Sequence, residues 1–359
     1  MTIAGILKAL RLILTHPQDS YLVAQYVWNV YIKRKTLVVL ERSGGVGDSV
    51  CLLASVPGLR ARHPNSWLVF ICPPGCSQLG VSSGLCDATS ETGSFFHNFL
   101  RRRCASSCYY CPLLPDERNP IEPQSAHLAV EFAKALGVAV DLHSVRFTPP
   151  RGIKRRMVRR LQAINPEGRP IVVLHLTPAW PVREWPVERW AELASKVTAT
   201  TPAIVIQIGT DFEAYKRLFK ARRLPNAIDW INELSLLDLV ALLEEAKVFV
   251  GIDSGPLHIA TAIGLRSVAL FGPTDARLRI HPRAETTVVT AKMECIGCHH
   301  AVTGPLHWET GCPNDIACMR AISSDFVAAA VQSALTAPES DQEPRRQLQT
   351  HGWPVGSAA

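Results

Sequence analysis

Three short segments of this chain place glycine, charge and proline where an anion could be held and a proton moved. The first is Ser43-Gly44-Gly45-Val46-Gly47-Asp48-Ser49. Gly44, Gly45 and Gly47 let a backbone approach a ligand closely, and Asp48 would stand at a helix start. On the residues alone two readings of Asp48 remain open: a group facing a ligand, or only a cap for free N–H groups. The spacing is neither G-x-G-x-x-G nor a G-K-[ST] loop, which argues against NAD and ATP. The second segment is Asp253-Ser254-Gly255-Pro256, ahead of an apolar helical stretch carrying His258. Free N–H groups and the dipole of a helix start there suit a diphosphate, with His258 one turn further on. Pro256 at the first helical position and Asp253 or Ser254 as cap would also explain the segment without a ligand. The third is Thr177 to Pro186, TPAWPVREWP, in which Arg183 could clamp a phosphate by two parallel N–H groups. A solvated loop arginine is its plainer alternative.

Cysteine offers two further sets. Cys104, Cys108 and Cys111 have the x3, x2 spacing that radical-SAM enzymes use for an iron–sulfur cluster, but the flanking chain lacks the repeated βα units of a barrel. Cys295, Cys298, Cys312 and Cys318 begin with C-x-x-C and supply four thiols, enough for a structural zinc or iron. A zinc-pinned or merely buried insertion is the alternative for the first set, and buried free thiols for the second.

Each of the three chemical segments lies where a strand should give way to a helix. TLVVLE precedes the Asp48 loop and the apolar-periodic stretch from Val46 to Pro64 follows it; WLVFICPP reads as the next strand. Residues of about 80 to 120 turn Cys-, Ser- and Pro-rich without a sustained period and read as an insertion. A helix ends at Gly137. The remainder alternates: strand IVVLHL, helix VERWAELASKV, strand AIVIQIG, helix DFEAYKRLFKA, helix LLDLVALLEEA, strand VFVGID, helix GPLHIATAIG, strand SVALFG, then a closing helix SSDFVAAAVQSAL. Such βαβ succession predicts parallel sheets covered by helices.

At 359 residues, 47% hydrophobic, the chain is long enough for two cores. The expected organisation is an amphipathic N-terminal segment over 1–35, an α/β lobe over 36–150, a second over 151–337 and a disordered tail over 338–359. The formal charge is +7, but the basic residues are dispersed among 31 acidic ones. That pattern disfavours nucleic acid and suits an anionic substrate or membrane surface. Eleven unevenly spaced cysteines point to a reducing compartment. Ile3, Ile6, Leu7, Leu10, Ile13 and Leu14 recur at helical spacing but are interrupted by Lys8 and Arg11, and no A-x-A-like site follows. Neither export nor spanning is therefore expected, and the stretch packs on the body or lies in a membrane interface.

Taken in order, the loop Arg42-x-Gly44-x-x-Gly47-Asp48, the segment Arg183-Glu184-Trp185-Pro186, Asp253-Ser254-Gly255-x-x-His258 and the strand end Phe271-Gly272-Pro273-Thr274 resemble the ADP-heptose:lipopolysaccharide heptosyltransferase family. The resemblance runs over roughly residues 36 to 330 and extends to Cys295-x2-Cys298, Gly311-Cys312-Pro313 and Cys318-Met319. It implies a GT-B fold, with two Rossmann-like lobes whose parallel sheets face a central cleft. It also implies an inverting transfer of a sugar from a nucleoside-diphosphate donor, ADP-heptose or similar, to a lipid-linked or glycan acceptor such as lipopolysaccharide core. No cofactor is required on this reading, and the protein would work in the cytoplasm or peripherally on the inner membrane face. By position, Asp48 resembles the family's general base. Arg183 stands where the family commonly has lysine, and Thr177, Asp253, Ser254, Gly255 and His258 resemble the donor-binding set. Gly44, Gly45 and Gly47 fall in the acceptor-side loop. Departures are the paired Gly44-Gly45 and the Cys-rich stretch, both on the acceptor side. A catalytically inactive sugar-nucleotide-binding or assembly protein is the alternative function, with an iron–sulfur enzyme behind it.

Overall fold

The structure, a computed structural model, describes residues 17–102, 108–111, 126–177, 180–214, 217–301, 311–338 and 349–350. Ile3 to Leu14, Cys104 and most of the expected tail lie outside them. The chain forms two units: Met1–Pro112 with Phe132–Phe147, and Leu113–Glu131 with Thr148–Ala359.

The first unit holds a four-stranded parallel sheet built from β1 (Thr36–Glu41), β2 (Ser66–Cys72), β3 (Ala88–Glu91) and β4 (Cys108–Tyr110), in the order β3-β2-β1-β4. Every residue of β2 and the centre of β1 are buried, as expected of β-branched and aromatic runs covered on both faces. Trp67, Val69, Ile71, Tyr26 and Phe96 close the core on one side. The stretch of about 80 to 120 is therefore not wholly an irregular insertion, since β3 and β4 belong to the sheet. Three or four residues are too few to show a period, and their strand character comes from pairing with β2 and β1. The helical stretch after β1 is two helices, Val46–Leu53 and Val56–Arg62. Pro57 has no N–H to donate, so the second helix must restart there with proline in its first turn.

The second unit holds the larger sheet: β5 (Ile171–His175), β6 (Ile204–Gly209), β9 (Ile228–Ile231), β10 (Val248–Ile252), β11 (Ser267–Leu270), β12 (Thr286–Val289) and β13 (Gln349–Thr350), ordered β13-β12-β11-β10-β5-β6-β9 and parallel throughout. Trp185 and Trp190 pack edge-to-face at 4.8 Å under it, each about 1% exposed. Burying each ring contributes on the order of 4–6 kcal/mol before entropy is charged. Trp185 Nε1 donates to the Ile322 carbonyl at 3.1 Å, so its polar edge is satisfied. One expectation fails in this unit. DFEAYKRLFKA is not a helix: β7 (Phe212–Ala214) and β8 (Arg217–Phe219) pair as an antiparallel hairpin. Asp211 explains the outcome, because its carboxylate accepts the Ala221 N–H at 2.8 Å and closes the segment ten residues on. So short a helix is marginal by itself and yields to that closure.

Both sheets share one topological feature. From β1 the chain runs outward through β2 and β3 and then returns to β1's other side with β4. From β5 it runs outward through β6 and β9 and returns with β10. Loops leaving β1, β5 and β10 thus sit at the switch points where open α/β sheets bind ligands.

Candidate active site

At the switch point of the first sheet, Gly45 caps the Val46–Leu53 helix in an extended conformation. Having no side chain, it offers no capping oxygen, and Asp48 supplies one instead: its Oδ2 accepts the Gly45 N–H at 2.7 Å. Its Oδ1 accepts from Arg42 Nη2 at 3.1 Å. The Arg42 guanidinium is buried and lies over the Phe132 ring at 4.2 Å. Asp48 itself is 26% exposed. The capping role left open by the sequence is thus present, in a carboxylate that solvent still reaches. A Cβ at Gly44 would come within 2.6 Å of Asp48 Oδ2, which is why glycine stands there. Gly47 lies within the helix's first turn. Nearby, His97 Nε2 meets Glu41 Oε1 at 3.1 Å at the end of β1.

At the switch point of the second sheet, the other two segments meet. Asp253 follows β10 and is 3% exposed. Arg183, on the short 181–183 turn after β5, puts Nη1 3.2 Å from the Asp253 carbonyl and 3.4 Å from its carboxylate. His258 Nε2 stands 3.6 Å from Oδ1 of the same carboxylate, and Arg279 Nε 3.9 Å from Oδ2. Burial works to raise the Asp253 pKa, but Arg183, His258 and Arg279 together hold the carboxyl well below its usual range. Ser254 caps the Gly255–Ala262 helix, and its hydroxyl pairs with His175 Nδ1 at 3.1 Å. Thr177 closes the group: its Oγ1 is 3.3 Å from where a Gly209 Cβ would stand, at the end of β6.

Several residues here escaped the sequence reading. Arg279 is 7% exposed, and its Nη1 is buried with no hydrogen-bond partner among the described residues, as are Thr274 Oγ1 and His300 Nε2. His299 meets Trp180 edge-on at 5.0 Å, and Arg183 lies over the same indole at 5.3 Å. Burial and then Arg279 push His299 down to about 3 and His300 to about 2. Burial and then His258 push His127 down to about 3. The imidazoles of His127, His299 and His300 are therefore neutral near pH 7, while two guanidiniums face one carboxylate. A buried excess of cation is costly unless an anion joins it, and unpartnered N–H groups at a helix start are what a phosphate accepts from. The one sequence signal was F-G-P-T after β11. Arg279 lies five residues past Thr274 and is turned back by the 276–278 turn, whose cap is Asp275.

The cysteine loop is tied to the same strand end: Gly297 N–H donates to the Gly272 carbonyl and His299 N–H to that of Pro273, both at 2.8 Å. Burial, then Cys295, Cys318 and Cys312, push the Cys298 thiol up to about 12, which keeps it protonated near pH 7. Among the described residues no three His, Cys, Asp or Glu side chains converge closely enough to hold a metal ion. Of the other set, Cys108 is exposed and Cys111 buried at the two ends of β4's segment, and Cys104 lies outside the described residues.

Two parallel α/β units with loops gathered at their switch points define the GT-B class of fold, and solved structures bear this out. A family 9 glycosyl transferase from Veillonella parvula superposes with a TM-score of 0.62 at 14% identity, over 84% of this chain and 97% of that one. The iron-containing dodecameric glycosyltransferase TibC from enterotoxigenic E. coli H10407 does so at 0.61 and 17%, over 84% and 76%; TibC has also been solved with ADP-D-β-D-heptose. Residues 113–305 match the sequence profile of glycosyltransferase family 9 (heptosyltransferase), and the chain belongs to that family. Among curated relatives, lipopolysaccharide heptosyltransferase 1 of Pseudomonas aeruginosa is 30% identical over 116 residues. That match spans about a third of each chain, 32% of both.

Proposed function

We propose that this protein is an inverting glycosyltransferase that moves a sugar, by its family a heptose from ADP-heptose, onto a lipopolysaccharide core or related glycan. The observation that carries the proposal is the second unit's switch point, where Arg183, Arg279 and the start of the Gly255–Ala262 helix surround the single carboxylate of Asp253. The donor diphosphate would lie against that helix start, its charge met by Arg183 and Arg279 and its oxygens by Ser254, Gly255 and Thr177. Asp48 would take the acceptor hydroxyl's proton as that oxygen bonds to the anomeric carbon. The bond from that carbon to the diphosphate oxygen breaks with its electron pair, and both arginines stabilise the leaving group. To act as base, Asp48 must yield one of its two present hydrogen bonds to the acceptor, and its exposed side allows this.

The test is to incubate the purified chain with ADP-, UDP- and GDP-sugars and score nucleotide release and protection against thermal unfolding. Release and protection with ADP-heptose, in preference to the others, are expected. Protection without release under any acceptor would favour a binding protein that has lost turnover, and neither would overturn the donor site.

We also propose Cys295, Cys298, Cys312 and Cys318 as a structural metal site. The support is the C-x2-C start followed by two further thiols, and the fold shared with TibC, described as iron-containing; in the structure the thiols stand too far apart to hold an ion, so binding requires them to draw together. About one metal equivalent in the purified chain, lost in Cys298→Ser, is expected; metal-free protein of full thermal stability would refute it.

A further inference from the structure

The two oxygens of the Asp48 carboxylate stand in different surroundings. Oδ2 accepts the Gly45 N–H at 2.7 Å in the open, whereas Oδ1 accepts from Arg42 Nη2 at 3.1 Å in a partly buried bond. Arg42 is 3% exposed and is fixed at several points. Its backbone N–H donates to the Ile71 carbonyl at 3.2 Å, which carries the pairing of β1 with β2 one residue past the end of β1. Its guanidinium lies over the fully buried Phe132 ring at 4.2 Å, and Nη1 reaches Cys111 Sγ at 4.0 Å. A guanidinium held between a strand end and a ring face has little rotamer freedom left to lose, so Nη2 is in place before any ligand arrives.

The cap by itself does not call for this arginine. Oδ2 satisfies the Gly45 N–H unaided, and a buried guanidinium is costly to desolvate, so the ion pair is a poor device for stability alone. What it does accomplish is to fix the plane of the carboxylate, since a second, charge-assisted bond opposes rotation about Cβ–Cγ. Gly44 serves the outward oxygen. A Cβ there would come within 2.6 Å of Oδ2, and Gly44 is outside the left-handed region, so glycine supplies space there and not a special backbone angle.

We propose that Arg42 is the positioning residue of the base: it keeps Oδ1 throughout the reaction, which makes Oδ2 the oxygen that takes the proton. This rests on the reading of Asp48 as general base. The acceptor hydroxyl's proton passes to Oδ2, the electron pair of that O–H bond stays with the oxygen that attacks the anomeric carbon, and the Gly45 N–H gives up its bond to Oδ2. Arg42 touches neither substrate and acts through Asp48.

The test is a double-mutant cycle on the full chain. Nucleotide release from ADP-heptose with a lipopolysaccharide-core acceptor gives kcat, and titration with ADP gives donor-side affinity. Arg42→Met keeps an unbranched stem against Phe132 without the charge, and should lower kcat at least about tenfold with ADP affinity unchanged. In the Asp48→Asn background the same change should cost less than about twofold, because both substitutions disable one device. A low, non-denaturing concentration of guanidinium ion should restore several-fold of the kcat lost in Arg42→Ala and none of that lost in Asp48→Asn. Gly44→Ala, which crowds Oδ2 and leaves the Arg42 side chain whole, should also lower kcat about tenfold or more. Should Arg42→Met fail to fold, Phe132→Leu takes its place in the cycle, with a smaller loss that again vanishes beside Asp48→Asn. Near-native kcat in folded Arg42→Met, or equal fold-losses from it in the native and Asp48→Asn backgrounds, would overturn the proposal and leave Asp48 as base. Near-native kcat in Asp48→Asn would instead remove the base itself, and the role of Arg42 with it.

Discussion

Asp48 holds both carboxylate oxygens in hydrogen bonds, one to a backbone N–H and one to Arg42. Asparagine can keep the cap through its carbonyl oxygen but cannot take a proton. Asp48→Asn should therefore bind the donor normally and turn over at least about a hundredfold more slowly. A folded variant with near-native kcat would leave Asp48 as a cap only. Arg183 reaches both the carbonyl and the carboxylate of Asp253 through a single nitrogen, Nη1, a contact one ammonium could reproduce. Arg183→Lys should accordingly recover much of the donor affinity and kcat lost in Arg183→Ala. Arg279→Gln should weaken nucleoside diphosphate binding about tenfold or more while leaving the weak binding of the uncharged nucleoside unaltered. Equal loss for both ligands in calorimetric titration would place Arg279's effect in the fold and not on the diphosphate.

At the scale of the element, the proposed donor site rests on the first turn of the Gly255–Ala262 helix. Gly255 does not occupy the left-handed region, unlike Gly209 or Gly297, so its backbone would accept other residues. A glycine there lets a ligand approach the backbone closely. Gly255→Val is expected to abolish nucleoside diphosphate binding with the lobe still folded. His258→Ala should be milder, since one side chain adds a single hydrogen bond of roughly 0.5–1.5 kcal/mol or more to a charged oxygen, whereas the turn supplies several. Unchanged affinity in Gly255→Val would return this segment to a purely structural cap. Elements with long apolar runs were legible in the sequence: β1, β2, β5, β6, β10 and β11 lie where the strand pattern put them. The hairpin of β7 and β8 was not, because Asp211's bond to Ala221 is formed between residues no local period connects.

The molecule as a whole buries neutral histidines, and this sets its acid behaviour. Burial pushes His175 down to about 4, and His300 lies at about 2 through burial and then Arg279. Each is neutral in the fold but gains a proton in the unfolded chain below about pH 6.5. Their contribution is thus fully present above pH 6.5 and is lost as the pH falls from there toward the folded values. At pH 5 the loss is up to about 2 kcal/mol for each. Melting temperatures between pH 7.5 and 5 should fall accordingly, and His300→Gln should flatten the decline; a native profile level over this range would refute the neutral assignment. Nucleoside diphosphate should lessen the decline, since a nearby anion favours the protonated imidazoles.

By itself the sequence determined the six strands with long apolar runs, where glycine and proline interrupt helices, and that three charged loops follow strands. These follow from local periodicity and backbone chemistry, which neighbouring residues carry between them. It also gave Arg183 and Asp253 as separate candidates, 70 positions apart, without joining them. The tertiary structure joined them, because parallel pairing of β5 with β10, His175 opposite Gly251, brings the two loops to one switch point. It alone decided that Arg279, His299 and His300 belong to the same site, since the 276–278 turn and the bonds from Gly297 and His299 to the end of β11 fold distant residues back onto Asp253. A charge acquires a partner only through packing across the chain, and no spacing along the chain records it.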